Sequence, residues 1–276
     1  MPVIHDSVGE NGGNRPEDVR QVRSLFNTFL PAPLQESDQC TADLIQAIRD
    51  FQRSFLPHPD GRIDVGGTTW SKLLERAGQP IQKKLLLLSF DDGPQPESAL
   101  NSILSTLKAH GIKAEFYVLG SEVDSSPAAT KRIVEQGHRL QNHSYSHPDL
   151  SKLPKATVLA ELRRTQESIR KAAGVTATKI RPPFGAGGWP SNYDPELKAA
   201  ADSIPLRIVN WDVDTEDWKA PEGIGQNKLT EIQRQLKAQR SKPVLNVLMH
   251  VKSGTARDLD QFIVQLKAWG YGFAEP

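Results

Sequence analysis

The sequence predicts an α/β protein in which a small three-helix domain precedes a barrel-like domain of parallel strands with helices outside. Three observations predict it. Up to about residue 76, apolar residues recur at helical spacing. From Leu85 onward, short apolar runs alternate with amphipathic stretches, the pattern of parallel strands joined by crossover helices. Between the two regimes, residues 78–84 (GQPIQKK) read as a linker.

Residues 1–14, rich in glycine, asparagine and acids, are expected to be loose. Residues 15–82 are expected to form the helical domain. Val19, Val22, Leu25, Phe26 and Phe29 mark its first helix, and Leu44, Ile45, Ile48, Phe51 and Phe55 its second. A short third helix is expected over 69–76, after glycines in DGRIDVGG that fit a turn, and the boundary is placed near Gln82. Residues 83–276 form the second domain, with strands expected at 85–90, 115–119, 139–142, 179–181, 206–211, 244–250 and 271–273. Helices are expected at 97–110, 128–136, 155–173, 195–201, 229–239 and 257–269. Six or seven such strand–helix units favour a barrel, closed or incomplete. The four leucines of LLLLSFDDGP are expected to be buried on both faces, so charges at the end of that run need a partner or a purpose.

Hydrophobic residues at 37% and charged residues at 24% of 276 describe an ordinary globular chain, long enough for a sizeable core. Lys plus Arg, 34, nearly balances Asp plus Glu, 33, which excludes the basic footprint of a nucleic-acid or acidic-membrane partner. No apolar run reaches the roughly 18 residues that a membrane span needs. The single Cys40 excludes an internal disulfide framework and a cysteine zinc cluster. The start, MPVIHDSVGENGG, lacks the basic and apolar regions of a secretory signal, so no signal peptide is expected in this chain.

In parallel barrels the chemistry sits at the C-terminal ends of the strands, and here several strand ends carry reactive residues. Asp91 and Asp92 end the leucine strand. His143 and His147 follow another, four apart, and would share a face if the chain turned helical there. One carboxylate and two imidazoles supply three ligands and leave a position open for water, the make-up of a catalytic zinc site. Adjacent residues leaving a strand diverge, so one aspartate can hold an ion while the other accepts a proton from its water. Arg181 ends a third strand and keeps its charge in any protein environment, a fixed partner for a carboxylate. The Pro182-Pro183-Phe184 loop after it is stiff enough to present a backbone N–H to an oxyanion. Asp212, Asp214, Glu216 and Asp217 lie between Trp211 and Trp218, where an acid can orient a histidine and an indole can line a sugar-sized cleft. His250 ends an apolar strand, whereas His5, His58, His110 and His138 lack such company. Taken singly, each feature has a plainer reading as solvated turn acids, an exposed arginine or a surface histidine.

Together, SFDDGP, HSYSHPDL, RPPFG, DTEDW and LMH, in that order, resemble the five motifs of the NodB-type polysaccharide deacetylases, carbohydrate esterase family four. AEFYVLG resembles the family's second strand, with Glu115 where a small polar residue is commoner. The resemblance spans about residues 85–273 and implies a distorted (β/α)7 barrel that removes acetyl from N-acetylated sugars with one divalent metal. Zinc is the first expectation for that metal, with cobalt, nickel, manganese or iron as alternatives. By position it implies Asp92, His143 and His147 as metal ligands, Asp91 as general base tethered by Arg181, and His250 as general acid tuned by Asp217. Asp214 is held in reserve for Asp217; Phe184, often Tyr in the family, would hold the oxyanion by its backbone N–H; Ser89 replaces the commoner Thr. In the first domain, VRQVRSLFNTFL, LIQAIRDFQRSFL and DGRIDVGGTTWSKLLERA resemble the three-helix peptidoglycan-binding module, with Phe51-Gln52 and Asp60-Gly61 to Thr69-Trp70 as its elements. Phe51 and Trp70 are expected in that domain's core.

The expected substrate is therefore GlcNAc or MurNAc of peptidoglycan, at the cell envelope or outside the cell, with chitin or another N-acetylated glycan as the alternative. Two other classes stay open at this point. One is a catalytically silent wall-binding protein. The other is an iron oxygenase, since two histidines and a carboxylate also form a facial iron triad. Oligomeric state is not legible.

Overall fold

Three amphipathic helices build the first of the two units into which the chain separates, 1–83 and 84–276. The computed structural model describes residues 2–79, 84–239 and 242–276, so the boundary placed at Gln82 lies outside the described residues.

In the first unit the order is β1 (Val8–Gly9), α1 (Pro16–Asn27), α2 (Ala42–Gln52), β2 (Arg62–Ile63) and α3 (Thr68–Arg76). Helix α1 opens on Pro16, whose fixed φ suits a first helical position, with Glu17 and Asp18 favourably placed in its first turn. Its buried face, Val19, Val22 and Phe26, shares one core with Leu44 and Ile48 of α2 and with Trp70 and Leu73 of α3. Phe51 is half-buried and packs edge-on against Phe26. Gln52 is fully buried and ties the motif elements together. Its Nε2 donates to Asp60 at 2.7 Å and to the Arg62 carbonyl at 2.9 Å, and Oε1 accepts the Gly61 N–H at 2.9 Å. Thr69 Oγ1 lies 3.1 Å from the same Nε2.

The N-terminal segment corrects the expectation of a loose start. Ile4 and Val8 are buried in the core, β1 pairs antiparallel with β2, and Asp18 accepts the N–H groups of His5 at 3.0 Å and Asp6 at 2.8 Å. Average composition hid two apolar anchors and a buried acceptor.

The second unit runs β3 (Leu85–Gly93), α4 (Glu97–Ala109), β4 (Glu115–Val118), α5 (Gly120–Ser125), α6 (Pro127–Glu135), β5 (Arg139–Asn142), α7 (Lys155–Ala173) and β6 (Lys179–Ile180). It continues with β7 (Gly188–Trp189), β8 (Asn192–Tyr193), α8 (Pro195–Asp202), β9 (Arg207–Ile208), β10 (Val213–Asp214), α9 (Gln226–Ala238), β11 (Val244–His250), α10 (Ser253–Ala268) and β12 (Gly272–Phe273). Parallel pairing gives the order β10-β11-β3-β4-β5-β6-β9, and β12 pairs with the start of β3. Among the described residues no pairing joins β9 to β10, so the barrel is a curled half-barrel open at that point.

Strand alternation sets the two faces of β3. Leu86, Leu88 and Phe90 are fully buried in the core that the helices cover. Leu85 and Leu87, expected to be buried like their neighbours, are only half-buried, because they face the other way near the N-terminal end of the strand. Ser89 and Asp91 follow them on that inward face and are buried. In register beside them lie Glu115 and Tyr117 of β4, then Gln141 of β5. The barrel interior is therefore lined by polar side chains, and every one of these needs a partner.

Besides the short strands β1, β2 and β10, a helix and a hairpin escaped the sequence reading. Helix α5 is short and without apolar periodicity, and β7–β8 form a small antiparallel hairpin between Phe184 and α8. The strand expected over 206–211 is confined to 207–208. Beyond it, the Asp212 carboxylate accepts the Asn246 N–H at 2.9 Å, and the Asp212 N–H donates to the Asn246 carbonyl at 2.9 Å, steering the chain toward β11.

Candidate active site

A β-bulge at the end of β3 separates the two aspartates. Asp91 pairs in register with Tyr117, but the next pair is Gly93 with Val118, so Asp92 is the extra residue and takes φ 65°. A bulge re-aims the side chain that it extrudes. Ser144 at φ 67°, His147 at 62° and Phe184 at 61° share this left-handed conformation, so four of the seven such non-glycine residues among those described gather at one site. Each costs on the order of 1–3 kcal/mol and persists only where the surroundings over-determine it.

The surroundings do so for the histidine segment, which is a loop and not the helical turn that would have put both imidazoles on one face. Glu161 of α7 accepts the N–H of Tyr145 at 2.8 Å and of Ser146 at 2.9 Å. Asn142 accepts the Ser144 N–H at 2.9 Å, and the Ser144 hydroxyl accepts the His147 N–H at 3.1 Å. The carbonyls of Ser144 and Tyr145 cap the start of α5 by accepting from Gly120 and Ser121. Held in this way, the rings of His143 and His147 stand 5.1 Å apart.

Both rings face Asp92. Its Oδ1 is 3.5 Å from His143 Nε2 and 3.4 Å from His147 Nε2, is buried, and has no hydrogen-bond partner. One ligand atom from each of the three residues lies within 4.8 Å of the others. His143 Nδ1 is 2.7 Å from the Arg181 carbonyl, which only an N–H can approach so closely, leaving Nε2 with its lone pair toward Asp92. An orphaned buried carboxylate oxygen beside two imidazole nitrogens is a donor set that fits a divalent metal ion. Burial alone would raise the Asp92 carboxyl, yet His143 first, then His250 and His147, hold it well below the usual carboxylate range. Burial and the neighbouring His143 push His147 down.

Asp91 has a different company. Its Oδ1 is 2.6 Å from Arg181 Nη1, and Arg181 Nη2 donates to Asn246 Oδ1 at 2.8 Å. The Arg181 side chain is fully buried. Asn246 Oδ1 also accepts the Ser89 hydroxyl at 2.8 Å, the donor that this position needs and serine retains.

Across the site, His250 Nδ1 is 2.8 Å from Asp217 Oδ1, and Asp217 Oδ2 accepts the His250 N–H at 2.8 Å and the Thr255 hydroxyl. Burial would lower His250, but the Asp217 hydrogen bond and charge outweigh it and hold the imidazole above its ordinary value, with help from Asp91 and Asp92. Asp214 does not reach His250. Its carboxylate accepts the Glu216 N–H at 2.8 Å and shapes its own turn. Lys228 of α9 staples the loop that carries Asp217 and Trp218, donating to the carbonyls of Glu216 at 2.7 Å, Lys219 at 3.0 Å, Pro221 at 3.0 Å and Gly223 at 2.9 Å.

Around the cluster the surface is aromatic. Phe184 is 69% exposed and its ring lies 4.7 Å from that of His147; Trp218 is 49% exposed. Trp189, at the tip of the hairpin, is 41% exposed and packs edge-on against Trp211 at 5.2 Å. Gly185 makes that packing possible, since a Cβ there would meet Trp211 at 2.9 Å. Trp189, Asn246, Thr255, Glu161 and Lys228 were missed in the sequence, where none stands in a motif. Of the histidines set aside, His138 is buried, accepts the Ala114 N–H at 3.1 Å and is pushed by burial down to about 4.

Comparison with known proteins places the chain in a family. The family model described as polysaccharide deacetylase matches residues 78–209. The peptidoglycan-N-acetylglucosamine deacetylase PgdA of Listeria monocytogenes is 38% identical over 192 residues, 69% of this chain. That match covers 37% of PgdA, so the chain spans little more than a third of that relative's length. The peptidoglycan-N-acetylglucosamine deacetylase of Bacillus cereus is 35% identical over 199 residues, 70% of this chain and 67% of the relative. The structure of the peptidoglycan deacetylase PdaC from Bacillus subtilis superposes with a TM-score of 0.57 at 32% identity, over 69% of this chain and 87% of PdaC. With the family model on residues 78–209, relatives 35–38% identical over 192 and 199 residues, and the fold shared with PdaC, the chain belongs to the polysaccharide deacetylase family.

Proposed function

We propose that this chain hydrolyses the N-acetyl groups of cell-wall glycan, GlcNAc or MurNAc of peptidoglycan, at the cell envelope. One observation carries the reading: the bulge sends Asp92 to two imidazoles and leaves Asp91 on an arginine, opposite a carboxylate-paired His250. Asp92, His143 and His147 would hold one divalent ion, zinc before cobalt, nickel, manganese or iron. Bound there, such an ion polarises an acetyl carbonyl and lowers the pKa of a water from 15.7 toward about 7.

The chain's own residues do the rest. Asp91, held by Arg181, accepts the proton of the attacking water. The Phe184 backbone N–H steadies the oxygen of the acetyl carbonyl as it gains charge. His250, kept protonated by Asp217, gives its Nε2 proton to the sugar nitrogen as the C–N bond breaks, so acetate and a free amine result. Trp218 and Trp189 offer apolar faces to the sugar. The first unit would bind the wall. A silent binding role leaves the Asp91–Arg181 and His250–Asp217 pairs without a task, and so does iron oxygenase chemistry.

The experiment is acetate release from intact peptidoglycan and from chitin oligomers, with bound metal quantified in the same preparation. Release from peptidoglycan in excess of chitin is expected. No release from either substrate by metal-replete protein would end the reading.

A further inference from the structure

Directly beneath the catalytic layer, the barrel encloses a charged group that the proposed chemistry does not use. Glu115 is 1% exposed. Its Oε1 takes Lys179 Nζ at 2.5 Å and Gln141 Nε2 at 2.9 Å, and its Oε2 accepts the Tyr117 hydroxyl at 2.9 Å. Tyr117 is itself fully buried, and burial first of all raises its phenol well above the ordinary range, so the hydroxyl stays a donor. The other end of this chain of contacts is the ring. The Arg181 guanidinium carbon sits 3.9 Å from the Tyr117 ring centroid, inside cation–π distance and shielded from water. Arg181 Nε is buried without a hydrogen-bond partner. The guanidinium is therefore held by Asp91 and Asn246 at its edge and by the Tyr117 ring on its face.

We infer that Glu115 and Tyr117 form a positioning pair: the carboxylate fixes the phenol, and the phenol ring fixes the plane in which Arg181 grips Asp91. Spacing supports it. Glu115 and Tyr117 are two apart on β4, so both face inward, and Tyr117 is the register partner of Asp91. Neither residue reaches the reacting atoms; each acts through Arg181. Glu115 also departs from the small polar residue commoner in the second strand of the family that the sequence resembles, and here its two carboxylate oxygens serve Lys179 and Gln141 on one side and the phenol on the other.

The inference rests on the deacetylase reading, and its test has one arm that does not. In Tyr117→Leu the ring is gone; in Tyr117→Phe only the bond to Glu115 is gone. With soluble N-acetylated oligosaccharide as substrate, kcat is expected to fall about tenfold or more in Tyr117→Leu and about threefold in Tyr117→Phe, with KM and bound metal unchanged. Crystal structures of both variants form the second arm. The Arg181–Asp91 contact is expected to be lost or tilted in Tyr117→Leu and kept in Tyr117→Phe. Wild-type kcat in Tyr117→Leu, equal losses in the two variants, or an unmoved guanidinium in Tyr117→Leu would each overturn the inference. A joint loss of kcat, KM and metal would also overturn it, in favour of a merely structural role. Wild-type protein without activity would sink the deacetylase reading and leave the crystallographic arm to decide this one.

Discussion

Asp91 and Asp92 are neighbours in the chain and strangers in the site: Asp91 Oδ1 lies 2.6 Å from the Arg181 guanidinium, whereas Asp92 Oδ1 has no hydrogen-bond partner and lies 3.4 Å from His147 Nε2. The cause is one extruded residue in β3, and the consequence is that one strand end supplies two carboxylates with separate partners, and on the proposed mechanism separate work.

Separate work means separable losses. Asp91→Asn is expected to keep bound metal and lose roughly a hundred- to ten-thousand-fold in kcat, the usual contribution of a general base. His143→Ala is expected to lose metal and activity together. Elemental analysis beside an acetate-release assay checks both; equal metal loss in the two variants would contradict the division.

On the proposed mechanism the charge of His250 sets the alkaline limit. Its pKa is held above the ordinary 6.5, burial opposing and Asp217 prevailing, and a general acid works only while protonated. Activity should therefore fall as pH rises through that raised value. Asp217→Asn removes the anion, so the alkaline limb of kcat/KM should move to lower pH. Stability follows the same sign: a raised folded pKa means that folding takes up a proton. The contribution is present in full below the unfolded value of about 6.5 and is lost as pH rises through the folded one. An Asp217→Asn profile with an unmoved alkaline limb would show that another group sets the charge.

Lys228 should matter without touching substrate. Its ammonium serves four carbonyls of the 216–223 loop with three protons, so the loop depends on it. Lys228→Met is expected to remove about 2–3 kcal/mol of hydrogen bonding to a charged group and to lower Tm by roughly 4–10 °C. Calorimetry of the variant checks it, and an unchanged Tm would mean that water replaces the ammonium at little cost.

The exposed aromatics should read the glycan and not the chemistry. Trp189→Ala and Trp218→Ala are each expected to raise KM for an oligosaccharide about three- to tenfold with kcat nearly unchanged, the signature of lost uniform binding. A fall in kcat at constant KM would place either indole in the reacting geometry instead.

What the sequence revealed and what it concealed divide along physical lines. That Asp91, Asp92, His143, His147, Arg181, Asp217 and His250 lie near one another could be read from the sequence, because each stands at the end of a strand or in the loop that follows one, and parallel strands bring those ends together whatever lies between. The bulge at Asp92 was not legible, since it is a property of register between β3 and β4 and not of either strand alone. Tyr117, Asn246 and Thr255 stayed hidden for a related reason: each meets its partner only through cross-strand or helix–strand contact. The backbone path between His143 and His147 was left open by their spacing; it is a loop because Glu161, fourteen residues beyond His147, takes the backbone donors. Residues 1–14 were expected to be loose on average composition, which cannot weigh the two buried side chains Ile4 and Val8.

The most direct measurement is anomalous diffraction at the zinc edge from crystals of metal-loaded protein. One peak is expected, within about 2.0–2.2 Å of Asp92, His143 Nε2 and His147 Nε2, with Asp91 still on Arg181 and off the metal. A peak coordinated by Asp91 in place of Asp92, or no peak among these three side chains, would contradict it.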